Sequence, residues 1–150
     1  MDAIDREIIA LLQQDGRMRL TDLAREVGLT LSPAHRRLQH LEEAGVIYGY
    51  RAMVDPEALD LGLEALVFVT MRQEDRDTIT AFEEAVTRIP NIIQAQRLLG
   101  DPDYVLRIRA ANIQDLTRIT DETLFDLPGV HLMNSHPVAK NIVTDRPYPA

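Results

Sequence analysis

The sequence predicts an α+β protein, in which an N-terminal winged helix-turn-helix precedes a C-terminal split-βαβ sandwich of the ferredoxin-like order βαββαβ. Three observations lead to this prediction. Residues 20–47 carry apolar side chains at helical spacing on both sides of Gly28, a residue type common where a helix ends. Residues 63–71 form a β-branched and aromatic run of strand length. The remainder alternates between helix and strand periodicity in the order that a split βαβ requires.

The first unit is predicted to hold three helices and one extended segment, residues 48–54. Asp2 is positioned to cap the first helix, which Asp15-Gly16 ends. Thr30 is positioned to cap the third helix, and Pro33 suits its first turn because a missing N–H costs nothing there. The apolar stripes of the three helices consist of Ile4, Ile8, Leu11 and Leu12, then Leu23, Ala24 and Val27, then Ala34, Leu38 and Leu41.

The second unit is predicted to contain four strands and two helices. The strands are predicted at 63–71, 92–99, 104–110 and 130–143, with an interruption at Pro137, and the helices at 77–89 and 113–127. Asn112 is positioned to cap the second of these helices. We expect a helix-turn-helix domain at 1–50, a strand or linker at 51–62 and a second domain at 63–150, with a loosely held tail from Thr144.

Composition excludes several classes of protein. The chain has 150 residues, a formal net charge of −8 and no cysteine, which excludes disulfides, thiol catalysis and zinc–thiolate sites. The four histidines lack metal-ligand spacing, and there is no glycine-rich phosphate loop, so we expect no metal and no cofactor. No apolar run approaches membrane-spanning length, and the start of the chain lacks the pattern of a secretory signal. We therefore expect a cytoplasmic protein with no membrane partner.

The outer face of the third helix suggests that the chain binds double-stranded DNA. Opposite the buried seam lie Ser32, Arg36, Gln39 and His40, with His35 at the edge. Short polar, Arg, Gln and His groups on a helix above an aliphatic seam suit the major groove. Residues 17–40 also hold five arginines against two acidic residues, a local excess of +3 on an acidic chain. The alternative is an ordinary helical domain whose arginines are merely solvated.

The strand at 63–71 indicates how the chain assembles. Ala65, Val67 and Val69 point to one side of the strand, while Leu66 and Phe68 point to the other. Both helices are expected on a single face of the sheet, so the second apolar face needs another cover. We predict self-association through it. A small core capped by the linker is the alternative.

In this context the chain resembles the Lrp/AsnC family, also called feast/famine regulators, over nearly its whole length. The residues that carry the resemblance are Asp5, the apolar group 8–12, Gly16-Arg17, Leu23-Ala24, Val27-Gly28-Leu29, Ser32-Pro33, Arg36-Arg37, Leu41-Glu42, Gly45-Val46-Ile47, Gly100-Asp101, Asp103-Tyr104 and Leu127-Pro128-Gly129-Val130. The resemblance implies a transcription regulator rather than an enzyme, with an N-terminal helix-turn-helix and a domain that senses a ligand and forms dimers. It further implies a small amino-acid-type effector and a homodimer that often assembles into an octamer.

The resemblance also implies where DNA and effector bind. The family's recognition helix corresponds to residues 30–44, where the DNA-binding residues would be Ser32, Pro33, His35, Arg36, Arg37, Gln39 and His40. Arg37 lies on the flank of the buried stripe, which favours a structural ion pair or a phosphate contact over a base contact. The effector-binding residues would be Gly100, Asp101, Asp103, Tyr104, Ser135 and His136. Gly-Asp-Pro-Asp is also ordinary turn chemistry for any hairpin.

Departures from the family pattern fall in both sites. Gln39 and His40 stand where many relatives carry basic residues, and Met133 stands where a hydroxyl residue is common. Pro102 and His136-Pro137 also depart from the pattern, so a leucine-type effector does not follow from the resemblance alone.

Two other functions remain open at this point. Haem-precursor (siroheme-type) decarboxylases resemble the family in fold, but His131 and His136 are five residues apart and would point to opposite faces of an unbroken strand. An architectural protein that binds DNA without an effector is the other alternative.

Overall fold

A computed structural model describes residues 1–73 and 75–150. Within these residues the elements in chain order are α1 (Ala3–Gln14), α2 (Leu20–Glu26), α3 (Leu31–Glu43), β1 (Leu63–Met71), α4 (Arg76–Thr87), β2 (Ile92–Arg97), β3 (Tyr104–Ala110), α5 (Ile113–Ile119) and β4 (Val130–Pro137). The order confirms the predicted helix-turn-helix followed by βαββαβ. The chain divides into two units, one comprising Met1–Met53 with Ile142–Ala150 and the other Val54–Asn141.

The N-terminal unit is built around a small aliphatic core. Ile8 and Leu23 are fully enclosed, with 0% of each exposed, and they pack with Val27 and Leu41. Asp2 caps α1 as predicted, because its carboxylate accepts the Asp5 N–H at 3.0 Å. Three amphipathic helices of this length need such a shared core, since each is too short to be stable alone.

Two local predictions for this unit are wrong. Thr30 occupies the N-cap position of α3, but its side chain makes no capping hydrogen bond. Residues 48–54, predicted to be extended, belong to no strand. An extended segment becomes part of a sheet only when a second backbone accepts its hydrogen bonds, and sequence periodicity gives no information about that partner.

The C-terminal unit is an antiparallel sheet in the order β2-β3-β1-β4. Val67 on β1 lies opposite Leu106 on β3 and Ser135 on β4. Alternate residues of β1 and β3 pack against α4 and α5 in one core, which includes Ala65, Val67, Val69, Phe82, Leu106, Ile108 and Leu124. The opposite face of β1, which carries Leu66 and Phe68, is only partly buried.

The predicted boundaries of four elements differ in this unit. Helix α4 runs from Arg76 to Thr87 rather than from 77 to 89. The helix predicted to reach 127 ends at Ile119 and continues as a wider π-type turn, Thr120–Leu124. Strand β2 ends at Arg97 rather than 99. Strand β4 ends at Pro137, which has no N–H to donate to a neighbouring strand, so the predicted interruption at Pro137 is confirmed. The strand does not resume after it, so the predicted extent to 143 is too long.

The end of the chain makes contacts that were not predicted. Residues 142–150 group with the N-terminal unit, and the domain bounds 63–150 stay a prediction. In the tail, the backbone of Tyr148 is hydrogen-bonded to the side chain of Gln13. A long-range side-chain contact of this kind leaves no trace in local sequence periodicity. In the described part of the chain, no helix is both long enough and apolar enough to cross a membrane.

Candidate DNA interface and effector turn

The predicted DNA-reading residues lie on the solvent side of α3. Ala34 and Leu41 are buried beneath the helix, while Ser32, His35, Arg36, Gln39 and His40 are exposed. The exposed residues follow one another at the spacing of a single helix face. The helix therefore has one continuous polar face, opposite its buried apolar side, that is exposed and could enter a DNA groove.

Arg37 is separated from this face by its ion pairs. Its Nη1 lies 2.7 Å from Asp5 Oδ1 and 2.8 Å from Asp2 Oδ2, so the guanidinium ties α3 to the start of α1. The Asp2 N–H and then Arg37 hold the pKa of the Asp5 carboxyl below its ordinary value. The two carboxylates raise the pKa of Arg37 in return. The sequence left two roles open for Arg37, a structural ion pair and a phosphate contact, and its observed contacts are those of the ion pair. Pro33, one turn earlier on α3, is half-buried.

Acidic residues bound the C-terminal end of the face. Gln39 Nε2 donates to Glu43 Oε1 at 2.8 Å, which holds the Gln39 amide along the helix. The hydroxyl of Tyr50 donates to Glu42 Oε1 at 2.9 Å. Burial, followed by this bond to Glu42, raises the pKa of Tyr50 to about 12. The phenol therefore stays protonated and anchors the segment after α3 to the helix.

The turn predicted to hold the effector is fastened to the end of β1. The Asp103 N–H donates to the Val69 carbonyl at 2.9 Å, and Asp103 Oδ2 accepts the Met71 N–H at 2.6 Å. Gly100 has φ +128°, a backbone conformation that favours glycine, and a side chain placed there would point into open space. The adjoining cleft of about 510 Å³ is lined by Thr70, Met71, Arg97, Leu98, Leu99, Gly100, Asp101 and Asp103.

The other predicted effector residues do not meet this cleft in one chain. Tyr104 faces the helix-covered side of the sheet with 3% exposed, and its hydroxyl donates to Glu83 on α4. Ser135 lies opposite Val67 and His136 opposite Leu66, across β1 from the turn and further along the strand. Both are exposed, and the His136 ring contacts Phe68 edge-on at a centroid distance of 5.5 Å.

Two arrangements escaped the sequence analysis. The Asp2–Asp5 pair forms a reciprocal capping box, which the spacing of two carboxylates three residues apart could have suggested. Glu64, with 5% exposed, lies between Arg107 and Arg109 on the helix-free face of the sheet. No local signal identifies this cluster, because the register that joins β1 to β3 is not visible in the sequence.

Comparison with known proteins covers both units. A family model for a winged helix-turn-helix DNA-binding domain matches residues 1–48, and the Lrp/AsnC ligand binding domain model matches residues 64–148. The leucine-responsive regulatory protein of Haemophilus influenzae is 34% identical over 142 residues, which cover 95% of this chain and 86% of that protein. The leucine-responsive regulatory protein of Escherichia coli K12 is likewise 34% identical, over 95% of this chain and 87% of its own length.

Solved structures agree with the sequence relatives. A transcriptional regulator from Neisseria meningitidis, in complex with L-methionine, has a TM-score of 0.94 at 31% identity and covers 99% of this chain and 96% of its own. An AsnC family regulator from Agrobacterium tumefaciens has a TM-score of 0.93 at 28% identity and covers 99% and 97%.

Proposed function

The chain belongs to the Lrp/AsnC family of DNA-binding transcription regulators, and from this premise we propose that α3 reads duplex DNA while an amino-acid effector binds at the Gly100 turn. The observation that carries the proposal is the separation of two kinds of arginine on α3. Arg37 is held by Asp2 and Asp5, whereas Arg36 is exposed on the outer face. The helix therefore has both a fixed position and an available guanidinium, the group that most often reads guanine.

Replacement of Arg36 by alanine tests the DNA-reading role. We expect Arg36→Ala to weaken binding to a duplex selected by the wild-type protein by about 1–3 kcal/mol, with a smaller loss on random DNA. Arg88→Ala is the matched control, since Arg88 is an exposed arginine that follows α4, at its C-cap, in the other unit. An equal loss of affinity for the selected and the random duplex would indicate that Arg36 contacts phosphate rather than a base. No loss of affinity for either duplex would contradict the proposal that α3 lies in the groove.

The chemistry of the turn supports an amino-acid ligand. Backbone N–H groups near Gly100 can approach a carboxylate closely, and a free carboxylate nearby can pair with an ammonium group. Asp103 Oδ2 already accepts the Met71 N–H at 2.6 Å. Asp101 is exposed and accepts only a long hydrogen bond, at 3.4 Å, from Thr70 Oγ1. Asp101 is therefore the better partner for the ammonium group. Met71, Leu98 and Leu99 give the cleft an apolar side, which favours an aliphatic or thioether side chain.

The separation of the predicted effector residues bears on assembly. Ser135 and the turn lie on opposite sides of β1, and the turn bonds to Val69 and Met71 while Ser135 faces Val67. This offset corresponds to about 7–13 Å along a strand. One small amino acid could touch both groups only if they came from different chains. We therefore expect a homo-oligomer, with the dimer as its unit and the octamer as the family assembly.

Calorimetry with L-methionine and L-leucine tests the effector site. We expect Gly100→Val to abolish binding, because valine is strained at φ +128° and its side chain would enter the ligand's approach path. Asp101→Asn should weaken binding about tenfold by removing the charge that faces the ammonium group. Asp121→Asn, an exposed carboxylate elsewhere in the same unit, is the control. Unchanged affinity in Gly100→Val and Asp101→Asn would place the ligand elsewhere.

A further inference from the structure

The last residues of the chain are held on the N-terminal unit by a side-chain amide. The Tyr148 N–H donates to Gln13 Oε1 at 2.7 Å, and Gln13 Nε2 donates to the Tyr148 carbonyl at 3.1 Å. The carboxamide thus satisfies both backbone groups of one residue, as a neighbouring strand would. A second contact, between Arg51 and Asp145 at 3.3 Å, fixes the other end of residues 145–148.

The tail forms one side of a groove on this unit. The groove has a volume of about 350 Å³, with Tyr148, Pro149 and Ala150 along one side and three half-buried apolar residues of the helical core, Ile9, Leu12 and Ile47, along the other. Tyr50 lines it as well, and its hydroxyl is bonded to Glu42 at the end of α3. The groove is therefore continuous with the packing that positions the recognition helix.

The segment leaves the other unit next to a predicted effector strand. After Ser135 and His136 on β4, the Val138 N–H donates to the Glu64 carbonyl at 2.8 Å, and Asn141 Nδ2 contacts Glu64 Oε2 at 3.2 Å. From Ile142 onward the residues belong to the N-terminal unit. The chain therefore passes between the two units twice, once after Met53 and once after Asn141.

We propose that the N-terminal unit carries a docking site for an extended peptide, formed by Gln13 and the edge of this groove, and that its ligand is residues 142–150 of the same chain. When the segment is docked, the DNA-binding unit is joined to the sensing unit by the covalent linker 54–62 and also, non-covalently, through residues 142–150; when the segment is released, only residues 54–62 connect them. Docking therefore restricts the positions that a DNA-binding unit can take. This second part rests on the proposed function, whereas docking itself does not.

Hydrogen exchange on the full chain tests docking without DNA or effector. We expect the Tyr148 amide to exchange about tenfold more slowly than in a free peptide of residues 142–150, because its N–H is hydrogen-bonded to Gln13 only when docked. Gln13→Ala should remove this protection. Gln14→Ala, its exposed neighbour on α1, should keep it. Exchange at the free-peptide rate in the wild type, or equal protection in both variants, would overturn the proposal.

DNA binding tests the consequence of docking. The probes are a duplex selected by the wild-type protein and the same duplex with about 5 base pairs inserted between half-sites, which turns one half-site to the opposite face. Wild type should prefer the original duplex, and Gln13→Ala should lose at least half of that preference while it binds a single half-site normally. An equal preference in the two proteins would overturn the coupling. If wild type fails to bind any single half-site, the proposed function fails, and the exchange result still decides docking.

Discussion

Asp5 on α1 shows how one side chain can position α3, the proposed recognition helix, to which it does not belong. Its side chain is 14% exposed, and it accepts from the Asp2 N–H and from Arg37 at the same time. We expect Asp5→Asn to lower the thermal midpoint of the N-terminal unit, because a neutral amide is a weaker acceptor for both donors. Circular dichroism during heating measures the midpoint. Asp22→Asn, in a more exposed pair with Arg25, should change it little.

The same carboxylate gives a pH dependence of known sign. The folded protein holds the pKa of Asp5 below its ordinary value of 3.8, so the ionised form contributes stability above that pH. The contribution is lost as the pH falls through the folded pKa. Urea unfolding between pH 7 and pH 3 should therefore show wild type and Asp5→Asn converging at the acid end. A constant gap between the two curves would contradict this assignment.

For individual residues, the sequence predicted which side chains face solvent better than it predicted which residues they contact. The helical angle of Arg37 favoured an ion pair or a phosphate contact, but Asp5 is 32 residues away and nothing local identifies it. Tyr104 illustrates the same limit. Its place beside the turn implied an effector contact, whereas strand alternation directs its ring to the core, where burial raises its pKa to about 12. Its role at the effector site stays a prediction.

At the scale of elements, Gly129 is the most demanding position in the connection to β4. It has φ +72°, and a Cβ there would overlap the Thr78 methyl group on α4 and crowd Met71 Cε at 3.0 Å. We expect Gly129→Ala to destabilise the C-terminal unit by about 2 kcal/mol or more through backbone strain and overlap. Chemical denaturation measures the loss. Adding Thr78→Ser should recover only the part due to overlap, and full recovery would show that the backbone is unstrained.

Strands β1 and β3 could be read from periodicity because their residues alternate between a buried and a less buried face, which β2 and β4 do not do. Residues 63–71 and 104–110 agree with β1 and β3 to the residue. The errors fall where a partner decides the outcome. Within the part of the chain that the structure describes, residues 48–54 form no strand ladder. The π-type turn at Thr120–Leu124 keeps helical spacing while leaving the α-helix.

At the scale of the whole molecule, the helix-free face of the sheet predicts assembly. Phe68 and Leu66 are only partly buried there, next to the cluster of Glu64 with Arg107 and Arg109. We expect the full chain to be at least a dimer at micromolar concentration and Phe68→Asp to shift it toward monomer, because a charge cannot be buried unpaired. Light scattering measures the mass. Ile113→Asp, at an exposed apolar site on α5, is the control, and a monomeric wild type would exclude this interface.

The bond between Gln13 and Tyr148 joins residues 135 positions apart, and this has a consequence for synthesis. On the ribosome, α1 to α3 emerge early and can fold from local contacts, whereas their last hydrogen-bonding partner emerges more than a hundred residues later. A nascent chain therefore exposes the whole of α3, the proposed reading helix, well before residue 148 is available. A message cut short between codons 142 and 148 would give a chain that keeps α3 but lacks the contact proposed to restrain the N-terminal unit.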